Sequence, residues 1–105
     1  MDDKLAMYYK VLSNPVRLRV FIHIADKSVG FAPAVKEETC LCEIARTVGI
    51  PQPTASNHVK ELRKVGLIKS VSVGTRRYYY VTKEATEYLL QQTQYIYKQA
   101  HQNPY

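Results

Sequence analysis

Apolar residues recur along this chain in blocks of helical period, broken once by a stretch that alternates like a β-hairpin. Leu5, Tyr8, Tyr9 and Leu12 stand at i, i+3, i+4 and i+7, which predicts a first helix over residues 3–12. Ser13-Asn14-Pro15 interrupts it, with Ser13 or Asn14 as cap and Pro15 in the first turn of a second helix that runs to about Asp26. That segment is apolar on most sides (Val16, Leu18, Val20, Phe21, Ile22, Ile24, Ala25), a pattern that predicts passage through the core. His23 within it reads as a packed or hydrogen-bonded histidine rather than a ligand. Residues 27–38, KSVGFAPAVKEE, carry Gly30 and Pro33 and predict a loop or short extended segment.

A third helix is expected next, with Thr39 as its N-cap and Glu43 in its first turn. Leu41, Ile44, Ala45 and Val48 form its inward stripe, and Gly49 ends it. The connector Ile50-Pro51-Gln52-Pro53 is tight, and Pro53 suits the first position of a fourth helix reaching about Val65, closed by Gly66. Ala55, Val59 and Leu62 face inward; Asn57, Lys60, Glu61 and Lys64 point away, flanked by Thr54 and Ser56. Two helices joined by a turn of about four residues outline a helix-turn-helix at about 39–66. Leu67–Val73 and Arg77–Val81 flank Gly74-Thr75, which predicts a β-hairpin at about 67–82 with Arg76 and Arg77 at or near its tip. A last helix over 83–102 carries Ala85, Tyr88, Leu89, Gln92, Tyr95, Ile96 and Gln99 on one face, before a frayed tail, HQNPY. The expected architecture is a single domain over 1–105, mainly α with a small hairpin.

Charge sharpens this outline. The net charge is +6, and the stretch from Arg46 to Arg77 holds all of it: seven bases (Arg46, Lys60, Arg63, Lys64, Lys69, Arg76, Arg77) against the single acid Glu61. Such a concentration is the footprint of a surface that faces phosphates; the alternative is a solvated basic face. No apolar run approaches the roughly 20 residues a membrane helix needs. The start, MDDKLAMYYK, is acidic where a signal peptide is basic, so the expected setting is soluble and cytoplasmic, with no membrane partner. No Ser/His/Asp grouping, phosphate-cradling glycine loop or acid pair points to an enzyme. The terminal helices carry more apolar surface than one small core can use. Pairing into a homodimer would bury it and set two reading helices about one DNA turn apart; packing within one chain is the alternative.

The order of these parts, with the strings LSNPVRLRV, TCLCEI and QPTASNHVKELRKVGLI and a hairpin bearing paired arginines, resembles the ArsR/SmtB family of metal- and metalloid-sensing winged-helix repressors over roughly residues 5–100. The resemblance implies a winged helix-turn-helix homodimer joined through its first and last helices, 3–12 and 83–102. It also implies that the fourth helix and the wing bind double-stranded operator DNA. Carried onto this chain, it places Gln52, Thr54, Ser56, Asn57 and Lys60 in the major groove or on its phosphates, Lys64 on phosphate, and Arg76 and Arg77 where a wing reaches the backbone or minor groove. His58 is open to either a packing role or a DNA contact.

The only two cysteines, Cys40 and Cys42, resemble the box that opens this helix in the family's arsenic-sensing branch. As residues of one regular helix they would lie about 200° apart. One ion could reach both only by unwinding the turn around Leu41, and the resemblance implies that this distortion weakens operator binding. The helix N-terminus is expected to lower the thiol pKa values. Ala45 stands where many arsenic sensors carry a third thiol, so a third ligand must be water, a thiol cofactor or another donor. Trivalent arsenic or antimony, as arsenite or antimonite, tolerates that set; a tetrahedral zinc site would be incomplete. Two further readings stay open: a thiol redox or persulfide switch, and a pair of structural cysteines. A winged-helix domain that binds protein or RNA without any inducer is the rival of a different class. The last helix offers Glu87 and a lone His101, too few donors for the family's other zinc site.

Overall fold

The computed structural model describes residues 3–28, 31 and 35–102. Among the described residues, five α-helices and one two-stranded sheet follow in the order α1 (Asp3–Leu12), α2 (Pro15–Lys27), a 3-10 turn (Glu37–Thr39), α3 (Leu41–Val48), α4 (Gln52–Lys64), β1 (Ile68–Val73), β2 (Arg76–Val81) and α5 (Lys83–Gln102). The expectations for Gly30, Pro33 and the last three residues fall outside the described residues.

Local chemistry sets most boundaries. Asn14, in extended backbone, caps α2 by accepting the Val16 and Arg17 amides, both at 3.0 Å, while Pro15 occupies the first turn. Gly49 stops α3 in the left-handed region at φ +81°, where its amide and that of Ile50 both donate to the Ala45 carbonyl at 2.9 and 3.0 Å. α4 starts at Gln52, one residue before the expected position. Pro51 supplies the extended cap conformation and its carbonyl accepts the Ala55 amide at 3.0 Å. Pro53 then falls within the first turn, where a missing N–H costs nothing.

α3 also departs from expectation at its start. Thr39 is not the cap: its amide and hydroxyl both donate to the Lys36 carbonyl, at 2.9 and 3.0 Å, and close the 3-10 turn. Cys40 takes the cap position instead, in extended backbone (φ −75°, ψ 157°), and its carbonyl accepts the Ile44 amide at 3.0 Å. α2 differs in its surroundings. Val20 and Ile24 are sealed off, yet Leu18 is 38% and Ile22 55% exposed, so the helix lies on the core by one face rather than passing through it.

The core gathers Tyr8 from α1, Val20 and Ile24 from α2, Ile44 from α3, Val59 and Leu62 from α4, Ile68, Tyr79 and Val81 from the hairpin, and Ala85 from α5. Burying each of the large aliphatic side chains contributes about 1.5–3 kcal/mol. The strands pair antiparallel from Ile68↔Val81 to Val73↔Arg76, and Gly74 takes φ +62° in the two-residue turn, as a tight hairpin requires. The hairpin base is buried through Ile68, Tyr78, Tyr79 and Val81; its tip is exposed. An isolated backbone bridge, Cys40↔Tyr78, ties the residue before α3 to β2.

α1 lies beside α5. Tyr8 meets Tyr88 edge-to-face at 5.8 Å, Lys4 Nζ sits 4.8 Å from the Tyr88 ring, and the Tyr9 and Thr93 hydroxyls stand 3.2 Å apart. Only the first part of α5 reaches the core, through Ala85, Tyr88 and Leu89. Met7 and Tyr9 on α1, and Leu90, Tyr95, Ile96 and Tyr97 on α5, are exposed. No helix among the described residues is long and apolar enough to cross a membrane.

Candidate nucleic-acid interface and thiol pair

Ala55, Val59 and Leu62 fasten α4 to the core, which turns its other face outward. The eight residues singled out for DNA in the sequence, Gln52, Thr54, Ser56, Asn57, Lys60, Lys64, Arg76 and Arg77, are all exposed. Most of them border two separate hollows. Gln52, Ser56, Arg76 and Arg77 line a cleft of ≈ 500 Å³ between α4 and the hairpin. Lys60 and Lys64 border a second depression together with Arg63. Arg63 lies in the last turn of α4, one residue before Lys64; in the sequence it counts only toward the basic stretch. Lys64 leans on Glu61 at 3.4 Å.

The floor of the larger cleft holds Cys40 and Cys42. The shift of the cap from Thr39 to Cys40 removes Cys40 from the helical turn, so the 200° separation does not apply. The two sulfurs stand 3.0 Å apart with α3 undisturbed behind them. Both are free thiols, Cys40 buried and Cys42 exposed. The expectation of a lowered pKa fails at Cys40. Burial pushes its thiol up, the hydrogen bond with Cys42 pushes the same way, and the Glu43 backbone amide only partly offsets them. Desolvation outweighs the helix end because Cys40 is 2% exposed.

Two links join this thiol pair to the hairpin. One is the Cys40↔Tyr78 bridge. The other is an ion pair in which Arg76 Nη1 donates to Glu37 Oε1 at 2.6 Å, from β2 to the turn that precedes Cys40. Glu37 raises the Arg76 pKa, chiefly through that hydrogen bond. Nothing in the sequence spacing pointed to a pair between positions 37 and 76. Arg77 has no ion-pair partner among the described residues.

His23 Nε2 shares a hydrogen bond with the Glu38 carbonyl at 2.8 Å. His58 is partly buried, with Nδ1 lacking a partner among the described residues, and its pKa is lowered by burial first and by the Arg17 charge second. This is the packing role, not an outward-facing one. Among the described residues, no group of three or more His, Cys, Asp or Glu side chains could hold a metal ion.

The chain matches the helix-turn-helix domain family over residues 12–71. It is 33% identical over 93 residues to a putative arsenical resistance operon repressor of Halobacterium salinarum, a match that covers 86% of this chain and 71% of that protein. The protein belongs to the ArsR/SmtB family. Like other ArsR/SmtB members it is a DNA-binding transcriptional regulator with a winged helix-turn-helix fold. It is 27% identical to an uncharacterized HTH-type transcriptional regulator of Methanocaldococcus jannaschii, over 84% of this chain and 89% of that one. Among solved structures it is similar to the homodimeric winged helix-turn-helix DNA-binding domain of a possible ArsR-family regulator from Mycobacterium bovis. That likeness has a TM-score of 0.66 and 26% identity, covering 98% of this chain and 85% of the other.

Proposed function

We propose that this ArsR/SmtB member is a homodimeric repressor, released from its operator when arsenite or antimonite is taken by Cys40 and Cys42. The observation that carries the reading is the shared cleft: both sulfurs lie in the same hollow as Gln52, Ser56, Arg76 and Arg77. Gln52, Thr54, Ser56 and Asn57 are assigned to the major groove, Lys60 and Lys64 to phosphates, and Arg76 and Arg77 to the wing contact. The whole chain works as one unit, with helix-turn-helix, wing and terminal dimerisation helices. The exposed Met7, Tyr9, Leu90, Tyr95 and Ile96 support pairing with a second copy through α1 and α5.

The donor set fits a pyramidal trivalent metalloid better than a tetrahedral cation. At metal–sulfur bonds of about 2.3 Å, sulfurs 3.0 Å apart subtend about 80° at a shared ion, near a right angle, whereas a tetrahedral centre needs about 3.8 Å. Proton balance points the same way. Arsenous acid reacts with neutral thiols, because each thiol proton departs with a hydroxyl as water. A divalent cation must strip the proton from Cys40, whose burial opposes the thiolate. The same burial counts against an oxidant-sensing role for Cys40, since oxidation starts from exposed thiolates. Release needs no unwinding of α3: a group seated on the two sulfurs occupies the cleft that the operator would enter.

The test is fluorescence anisotropy on the labelled upstream duplex. Arsenite should release wild type and leave the Cys40→Ser/Cys42→Ser protein bound. Equal release of both proteins would reject the cysteine site, and no preference for that duplex over bulk DNA would reject the operator reading.

A further inference from the structure

We propose that the cleft between the start of α3, α4 and the hairpin binds a small anionic thiol, which supplies the third sulfur to a metalloid held by Cys40 and Cys42. The proposal rests on the metalloid reading of that pair. Trivalent arsenic makes three bonds, and the chain offers two thiols. No third His, Cys, Asp or Glu donor joins them among the described residues. The remaining valence therefore has to be met from the cleft side, where there are ≈ 500 Å³ of space. That volume lies within the range that holds small molecules of about drug size.

The walls specify the chemistry of the occupant. Arg76 and Arg77 stand on the hairpin side and Gln52 and Ser56 on the α4 side, and no acid among the described residues lines the cleft. Arg76 already has Glu37, while Arg77 has no ion-pair partner among the described residues. A carboxylate-bearing thiol could place its sulfur toward Cys40 and Cys42 and its negative charge on Arg77, in the geometry of a charge-assisted hydrogen bond. The exchange balances without redox change. At each of the two cysteines an As–S bond forms, an As–O bond breaks, and water leaves. A third exchange with the added thiol expels a third water and converts the last As–OH to As–S. The added anion would then fill the space assigned to operator phosphates, reinforcing release.

Arsenic K-edge X-ray absorption of the full chain counts the sulfurs directly. Arsenite alone should give two sulfurs and one oxygen. Mercaptosuccinate should convert this to three sulfurs at about one tenth the concentration that neutral 2-mercaptoethanol needs, because a hydrogen bond to a charged group carries roughly that factor. Arg77→Ala, at an exposed site, should abolish the tenfold gap while leaving the two-sulfur spectrum intact. Retention of two sulfurs and one oxygen with both thiols would overturn this proposal alone, as would equal potency of the two thiols on wild type. Absence of any arsenic–sulfur bond, with or without added thiol, would overturn the metalloid reading beneath it.

Discussion

Arg76 and Arg77 are adjacent in sequence, yet they should respond differently when DNA binding is measured against salt. With Lys60 and Lys64 on phosphates and the wing contact of Arg76 and Arg77 made to the DNA backbone, four bases per protomer meet phosphates. A dimer in which all eight act as free charges would lose affinity with a log–log slope of about −7. Two of the four already hold an internal acid, Arg76 with Glu37 at 2.6 Å and Lys64 with Glu61 at 3.4 Å. A base already neutralised by an acid displaces fewer of the cations condensed on DNA, so fewer are released on binding. The other two, Lys60 and Arg77, which have no ion-pair partner among the described residues, alone give about −3.6 for the dimer, and the wild-type slope should fall between these limits. Arg77→Ala removes two full charges per dimer and should flatten the slope by about 1.8, so that its penalty shrinks roughly twelvefold between 50 and 200 mM salt. Arg76→Ala should flatten it by less, and Glu37→Gln should steepen it by freeing Arg76. Anisotropy titrations at five salt concentrations read all three. Identical slope changes for Arg76→Ala and Arg77→Ala would refute the claim that Glu37 already neutralises Arg76.

Three other outcomes follow from the same geometry. Arsenite affinity should be nearly flat between pH 6 and 8, whereas cadmium affinity should climb by up to about a hundredfold per pH unit as two protons are displaced; isothermal titration across that range distinguishes them. His58 has a folded pKa below its ordinary value of 6.5, so the unfolded chain takes up the proton first as pH falls. Its contribution to stability is complete above about pH 6.5, declines as pH drops toward the lower folded value, and then levels, and His58→Gln should remove that decline from thermal midpoints measured between pH 5 and 8. Asn14→Ala deletes the acceptor for two amides at the start of α2 and should cost about 1–2 kcal/mol in urea unfolding, with Asn14→Ser recovering most of it.

Most of the fold was legible in the sequence because its signals are local. The 5–8–9–12 and 41–44–45–48 spacings, the stops at Gly49 and Gly66, and Gly74-Thr75 between β-rich runs each require only neighbours in the chain. The start of α3 was not legible for a complementary reason. Thr39 and Cys40 can each precede a helix, and Thr39 is the better cap in isolation. What decides between them is partly tertiary: the Cys40↔Tyr78 bridge and the Arg76–Glu37 pair hold residues 37–40 against the hairpin. A shift of one residue there changes the chemistry, since it turns two sulfurs on opposite shoulders of a helix into neighbours 3.0 Å apart. The same tertiary dependence raised rather than lowered the Cys40 pKa, because burial cannot be read from helix position alone. Leu18 and Ile22 misled in the opposite direction: an apolar stripe on α2 looks the same whether its outer side meets core or solvent.

The shared cleft is tested most directly by titrating arsenite into the protein at rising concentrations of operator duplex. If metalloid and DNA occupy one hollow, the apparent arsenite dissociation constant should increase in proportion to duplex without limit, and native mass spectrometry should find no species that carries both. A plateau in that constant, accompanied by a stable complex of protein, arsenic and duplex, would contradict it.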